Sequence, residues 1–463
     1  MADSPRTQTP CLSLQKWWIT DRPRSGWHIV LGVLIWAILS HSQCIFAQLD
    51  FEKAPINYGQ VQTHDPIAKF IQRLNKGEAQ LEYSPKFGWL PSILENMEVP
   101  IESQVMVFSK TSLQLHRIGP RTPRAIYFND EVYIGFCQGG DVVEIAATDP
   151  DLGGVFYTLD QSPTPQPQII ADRGQCLTCH ATNRTQNVPG FLVRSIFSDA
   201  NGRPRSGTRT YVTDHSSPFE QRYGGWYVTG QHGTIRHMGN VIAPDRNEPE
   251  SIDREAGANL NCLDEYFDGR PYLSKHSDLV ALMMLEHQSQ MHNILARAAI
   301  ETRIAEHYDQ GINEALGRPI DTVSESTKRR IAAAGEMLVR YMLFADEERL
   351  PNPVTGTSDY CQTFESLPIP KDNQGRHLRE LDLQTRLLKY PCSYLIYTEA
   401  FDALPTDMLA FVRDRLSTIL NSPVVPEGYE RLQLVDLQNI REILNETKPG
   451  FLTPANDFTT ASR

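Results

Sequence analysis

The residues whose types and spacing could do chemistry stand together at Cys176-Leu177-Thr178-Cys179-His180. In this C-x-x-C-H pattern two thiols three positions apart can each form a thioether to a haem vinyl group. The imidazole that follows can then turn back to the iron as an axial ligand. The same residue types admit other chemistry: a redox or disulfide C-x-x-C with an incidental histidine, or half of a zinc site. A four-cysteine zinc site needs a second C-x-x-C, and the sequence has none. A thioredoxin-like pair needs a βαβ pattern around it, and none is legible here. The expectation is one covalently bound haem c on Cys176 and Cys179, with His180 as the proximal iron ligand.

CLTCH resembles the haem-binding site of the cytochrome c family, and only this short segment matches that family closely. The longer stretch from GQCLTCHATNRTQNVPGFLVRS through TDHSSPFEQRYGGWYVTG is similar to a group of large secreted bacterial proteins described only as cytochrome c domain-containing. The resemblance implies haem c with Cys176 and Cys179 as attachment residues and His180 as axial ligand. It supplies no activity. It does not carry over a fold either, because a small cytochrome c places its motif between helices, whereas Phe191 to Phe197 reads as strand.

The task of such a haem depends on the other face of the iron. Met238, 58 residues after His180 in His237-Met238-Gly239-Asn240, is similar in spacing to the distal methionine of small cytochromes c. The alternative is a loop methionine with no iron contact. His215, His232 and His237, all near Gly or Pro, are further candidates. So is His287, which lies in a helical stripe with Met283, Met291, Ile294 and Ala298; such a stripe also reads as ordinary core. His292 lies five residues on, about 140° around a helix from His287, so the two cannot easily share a metal. An open sixth position is the remaining alternative.

The N-terminal residues bear on the compartment. Arg6, Lys16, Arg22 and Arg24 precede an apolar run from Trp27 to Leu39, whose 13 residues suit a signal peptide. A spanning helix needs about 20. Cleavage after Ala47 would remove four basic and two acidic residues and take the net charge from −12 to −14. An uncleaved anchor through Ser40 to Gln43 is the competing reading, and it alone would place the chain on a membrane. Either way the expected location is periplasmic or secreted, where haem c is attached. The acidic balance argues against nucleic acid and favours a basic redox partner protein in the periplasm.

The elements that must position the motif divide the chain into residues 1–47 (signal peptide or anchor), 48–270 (strand-rich, haem-binding) and 271–463 (helical), an α+β arrangement. Residues 49–100 read as a proline-punctuated lead-in. Ala125–Phe128 and Glu131–Phe136 flank Asn129-Asp130 as a hairpin, with further short strands at Val142–Ile145 and Val155–Leu159. A polar linker, Gln161–Pro167, leads to the motif, and Asn201-Gly202 marks a second hairpin between Phe191–Phe197 and Thr208–Val212. Trp226–Thr229 can add another strand, and Tyr223, Trp226 and Tyr227 read as core aromatics or an electron path. Ser277 is expected to cap a helix running to about Leu316, with more helices over Thr327–Glu347, Asp382–Lys389, Asp407–Leu420 and Val435–Asn445. Cys361 and Cys392 could bridge or stay free.

Three roles suit these features. Electron transfer through haem c comes first, although a simple carrier needs only about 100 residues. A peroxidase- or oxidase-like haem enzyme with an open distal face comes second; di-haem peroxidases carry two C-x-x-C-H motifs, and this chain has one. A non-catalytic haem-bearing interaction module is the third.

Overall fold

The computed structural model describes residues 49–172, 174–243, 248 and 250–452. The apolar run at 27–39 and the cleavage point at Ala47 lie outside them. Among the described residues no helix is long and apolar enough to cross a membrane.

The architecture is α+β, with strands in the first half and helices mostly in the second. Strands β1 (Val105–Val107), β2 (Arg124–Phe128), β3 (Val132–Cys137), β4 (Val142–Asp149), β5 (Gly153–Asp160), β6 (Ile169–Ala171), β7 (Arg194–Ile196), β8 (Thr210–Val212) and β9 (Trp226–Tyr227) form two sheets. The larger sheet runs β6-β5-β4-β3-β2-β1-β9, with antiparallel neighbours throughout; β7 and β8 pair separately. The Asn129-Asp130 turn closes the β2–β3 hairpin, as the turn chemistry requires: Asn129 Oδ1 accepts from the Glu131 and Val132 amides.

The helices are α1 (Pro66–Asn75), α2 (Leu90–Asn96), α3 (Leu177–His180), α4 (Leu279–Leu316), α5 (Glu325–Met342), α6 (Tyr360–Ser366), α7 (Glu399–Asp402), α8 (Thr406–Leu420) and α9 (Leu434–Thr447). Helix α4, about 57 Å long at 1.5 Å per residue, organises the molecule. From Leu279 to Ser289 every residue is buried, because the sheet covers one side and the other helices cover the rest. The stripe from Met283 to Ala298 is therefore buried core, while Gln290 and Arg297 on the same helix stay partly exposed.

Several expectations change. The cap of α4 is Asp278, whose carboxylate accepts from the Val280 and Ala281 amides. Ser277 is committed to the sheet, its hydroxyl donating to the Tyr227 carbonyl and accepting from the Met106 amide. No helix forms over 382–389, because the Asp382 carboxylate takes the Thr385 amide and hydroxyl and folds the segment into a loop bridged at Leu381 and Leu388. The lead-in contains α1 and α2. Two of its prolines start helices: Pro66 stands at the first helical position after the Asp65 cap, and Pro91 near the start of α2. The linker 161–167 connects β5 to β6 within one sheet.

Candidate functional site

The motif is one helical turn. Asp172 accepts from the Gly174 and Cys176 amides and so starts it. The His180 amide then donates to the Cys176 carbonyl, which brings Cys176 and His180 to one side of the turn with Cys179 beside them. Cys176 is half-buried, Cys179 is exposed, and both are free thiols. Burial, with Asp172 and then Glu144 nearby, pushes the Cys176 thiol up to about 12. A redox C-x-x-C needs its attacking thiol held low, as thiolate. Here the surroundings keep the first cysteine neutral.

The imidazole is fixed by a contact the sequence does not advertise. His180 Nδ1 lies 2.8 Å from the Gly190 carbonyl oxygen. That oxygen can only accept, so Nδ1 carries the proton and Nε2 is left with the lone pair, without a partner among the described residues. The Gly190 amide donates back to the His180 carbonyl at 2.8 Å, and the ring packs on Phe156 at 4.9 Å. Burial lowers the imidazole's basicity, which favours the neutral form a metal requires.

Gly190 sits in a segment clamped from two sides. The Gly154 amide of β5 donates to Pro189, while Asn293 of α4 accepts from the Phe191 amide at 2.7 Å and donates to its carbonyl at 2.8 Å. A Cβ on Gly190 would come within 2.1 Å of Asn293 Oδ1, so only glycine permits this approach.

Beside Cys179 opens a cleft of about 600 Å³, lined by Thr178, Asn183, Arg184, Arg194, Asp214 and Gln290 among others. Arg184 projects from a turn fixed by reciprocal Thr182 and Thr185 side-chain bonds. Arg194 opens β7, its carbonyl held by Trp226 Nε1 at 2.8 Å. Its buried Nε–H has no acceptor among the described residues. Burial and the neighbouring Arg184 pull its guanidinium below the ordinary value.

Met238 lies elsewhere, buried with Phe197 and Ala243, and its sulfur accepts from the Ser195 hydroxyl at 3.7 Å. It does not line the cleft. His232 uses both nitrogens on backbone, Nδ1 on the Ile235 carbonyl and Nε2 on the Asn259 amide. His287 spends Nδ1 on His215 and Nε2 on Ser393. His215 and His237 each keep a buried Nε2 with no partner among the described residues. His292 bonds separately to the Asp130 carbonyl. Tyr223, Trp226 and Tyr227 are buried core aromatics whose polar atoms are taken by Glu286, Arg194 and Pro120. Cys361 and Cys392 are free. Among the described residues no three His, Cys, Asp or Glu side chains converge as a metal cluster.

Sequence reasoning missed Gly190, Asn293, Arg184 and Arg194. The Pro189-Gly190 dipeptide ten residues after His180 was the available signal for the first. The arginines carry no motif.

No protein-family model, no curated protein and no solved structure matches this chain.

Proposed function

We propose that the chain is an exported monohaem c-type cytochrome protein, located in the periplasm or secreted, which transfers electrons through haem c attached at Cys176 and Cys179. The observation that carries this reading is the His180 Nδ1 contact to the Gly190 carbonyl, which reserves Nε2 for a metal. The neutral Cys176 thiol counts against disulfide exchange. Haem, when bound, supplies a one-electron iron couple. Cys176 and Cys179 would tether it and His180 would bind its iron. The segment 189–191, held between β5 and α4, would keep the ring orientation fixed while charge changes. A redox protein partner, basic to suit the chain's −12 charge, fits the carrier role.

A second reading, a haem redox enzyme with an open distal site, rests on the cleft beside Cys179. Among the described residues no methionine or histidine lines it, and the Met238 sulfur is occupied by Ser195. The test that separates the two is the absorption spectrum of the reduced protein, produced with haem-attachment machinery, before and after carbon monoxide. A haem spectrum unchanged by carbon monoxide is the result expected for electron transfer at a filled sixth position. Prompt binding overturns that in favour of the enzyme. No haem band overturns both.

A further inference from the structure

The cleft beside Cys179 holds a feature that the fold itself does not require. Arg184 and Arg194 line it together, and neither makes an ion pair among the described residues. Arg194 is half-buried with a wholly buried, unpartnered Nε–H. Holding two guanidiniums near each other, one of them desolvated, is unfavourable without an anion. Counter-ions are not scarce in a chain with 56 acidic residues. Elsewhere the half-buried and buried arginines of this molecule have an acceptor among the described residues, a carboxylate for Arg124, Arg222, Arg376 and Arg386 and a backbone carbonyl for Arg205, Arg254 and Arg297.

Among the described residues the carboxylate on the cleft wall is that of Asp214, whose Oδ1 accepts from the Ser216 amide and hydroxyl. A comparison within the molecule sharpens the point. A second cleft of about 660 Å³ is lined by Lys110, Arg121 and Arg203. There Lys110 donates to the Leu115 and Ile118 carbonyls and Arg121 to those of Glu265 and Tyr266. Two of its three cations serve the chain's own backbone, whereas neither guanidinium beside Cys179 does so among the described residues.

We propose that this cleft is a carboxylate-binding site in which Arg184 and Arg194 together hold an anionic group next to the thioether edge formed by Cys179. The backbones of both arginines are already fixed, by the Thr182–Thr185 turn and by Trp226, so the pair is preorganised. The inference rests on the haem reading only for the identity of the neighbour. The carboxylate belongs to a small organic acid that enters the cleft, since the propionates of a haem tethered at Cys179 would leave its opposite edge.

The test is titration calorimetry of the full haem-loaded chain with citrate, comparing wild type with Arg184→Gln, Arg194→Gln and the pair. Arg203→Gln, in the other cleft, is the control. A free organic acid predicts saturable citrate binding that weakens at least tenfold in Arg194→Gln, more in the double variant, and not in Arg203→Gln. Citrate binding that is equal in all variants, or no saturable binding to wild type, overturns the proposal. The citrate arm reads the cleft whether or not haem is attached. Failure of the haem assignment, seen as an absent haem band, is therefore distinguishable from failure of the site.

Discussion

Arg222 and Arg194 occupy opposite situations. Arg222 has 2% of its side chain exposed, and its guanidinium reaches the Glu286 carboxylate at 3.2 Å as well as the His215 and Ser217 carbonyls. Tyr223 completes the group by donating to the same carboxylate oxygen. Arg194 lines an open cleft, with an orphaned Nε–H and a second guanidinium for company. The first region is a closed polar seam, joining the loop 213–223 to α4. The second is left for a visitor. A buried charge that the chain satisfies holds the fold together; a partly buried charge that it leaves unsatisfied points to a ligand.

The largest effect is expected in the closed seam. Arg222→Met removes every one of those bonds and strands Glu286 without a counter-charge, which should cost about 3–5 kcal/mol of stability above neutral pH, read from the denaturant midpoint. A cost below about 1 kcal/mol would mean that the seam is not a structural pair.

Next in size is Asn293→Ala. It deletes both buried bonds to Phe191 and loosens the segment carrying Gly190, at an expected cost of about 2 kcal/mol in the same assay. Loss of stability without any change in the haem spectrum would detach Gly190 from the role given to it here.

The third prediction concerns pH. Burial raises the Glu286 carboxyl to about 7 from its ordinary 4.5, against the opposing pull of Arg222. The folded state therefore binds this proton more tightly than the unfolded one. The stability it contributes is fully present below pH 4.5 and lost as pH rises towards 7. Glu286→Gln cannot ionise, so between pH 5 and 8 its stability relative to wild type should improve by about 2 kcal/mol. A difference that does not vary with pH would show that Glu286 stays in one protonation state.

These two regions also mark how far the sequence could be read. The C-x-x-C-H pattern was legible because it is local: five consecutive residues define it. The β2–β3 hairpin and the four longer helices of the second half, α4, α5, α8 and α9, followed from turn residues and periodicity for the same reason. What holds His180 was not legible, because Gly190 gains its position from Asn293, about 100 residues away, and from a glycine pair on β5. Helices α1 and α2 were hidden by reading Pro66 and Pro91 as breaks, although proline is well placed in a helix's first turn. The 382–389 segment looked helical until a single Asp382 side chain claimed the backbone that a helix would need. Arg184 and Arg194 have no spacing to recognise; only their shared lack of a partner identifies them.

The most direct test of the central claim is the intact mass and haem stain of the denatured protein after export in cells equipped for haem attachment. The account predicts one haem that survives denaturation on the wild-type chain and none on the Cys176→Ser, Cys179→Ser double variant. A wild-type chain without covalent haem, or a double variant that retains it, would contradict the assignment of Cys176, Cys179 and His180.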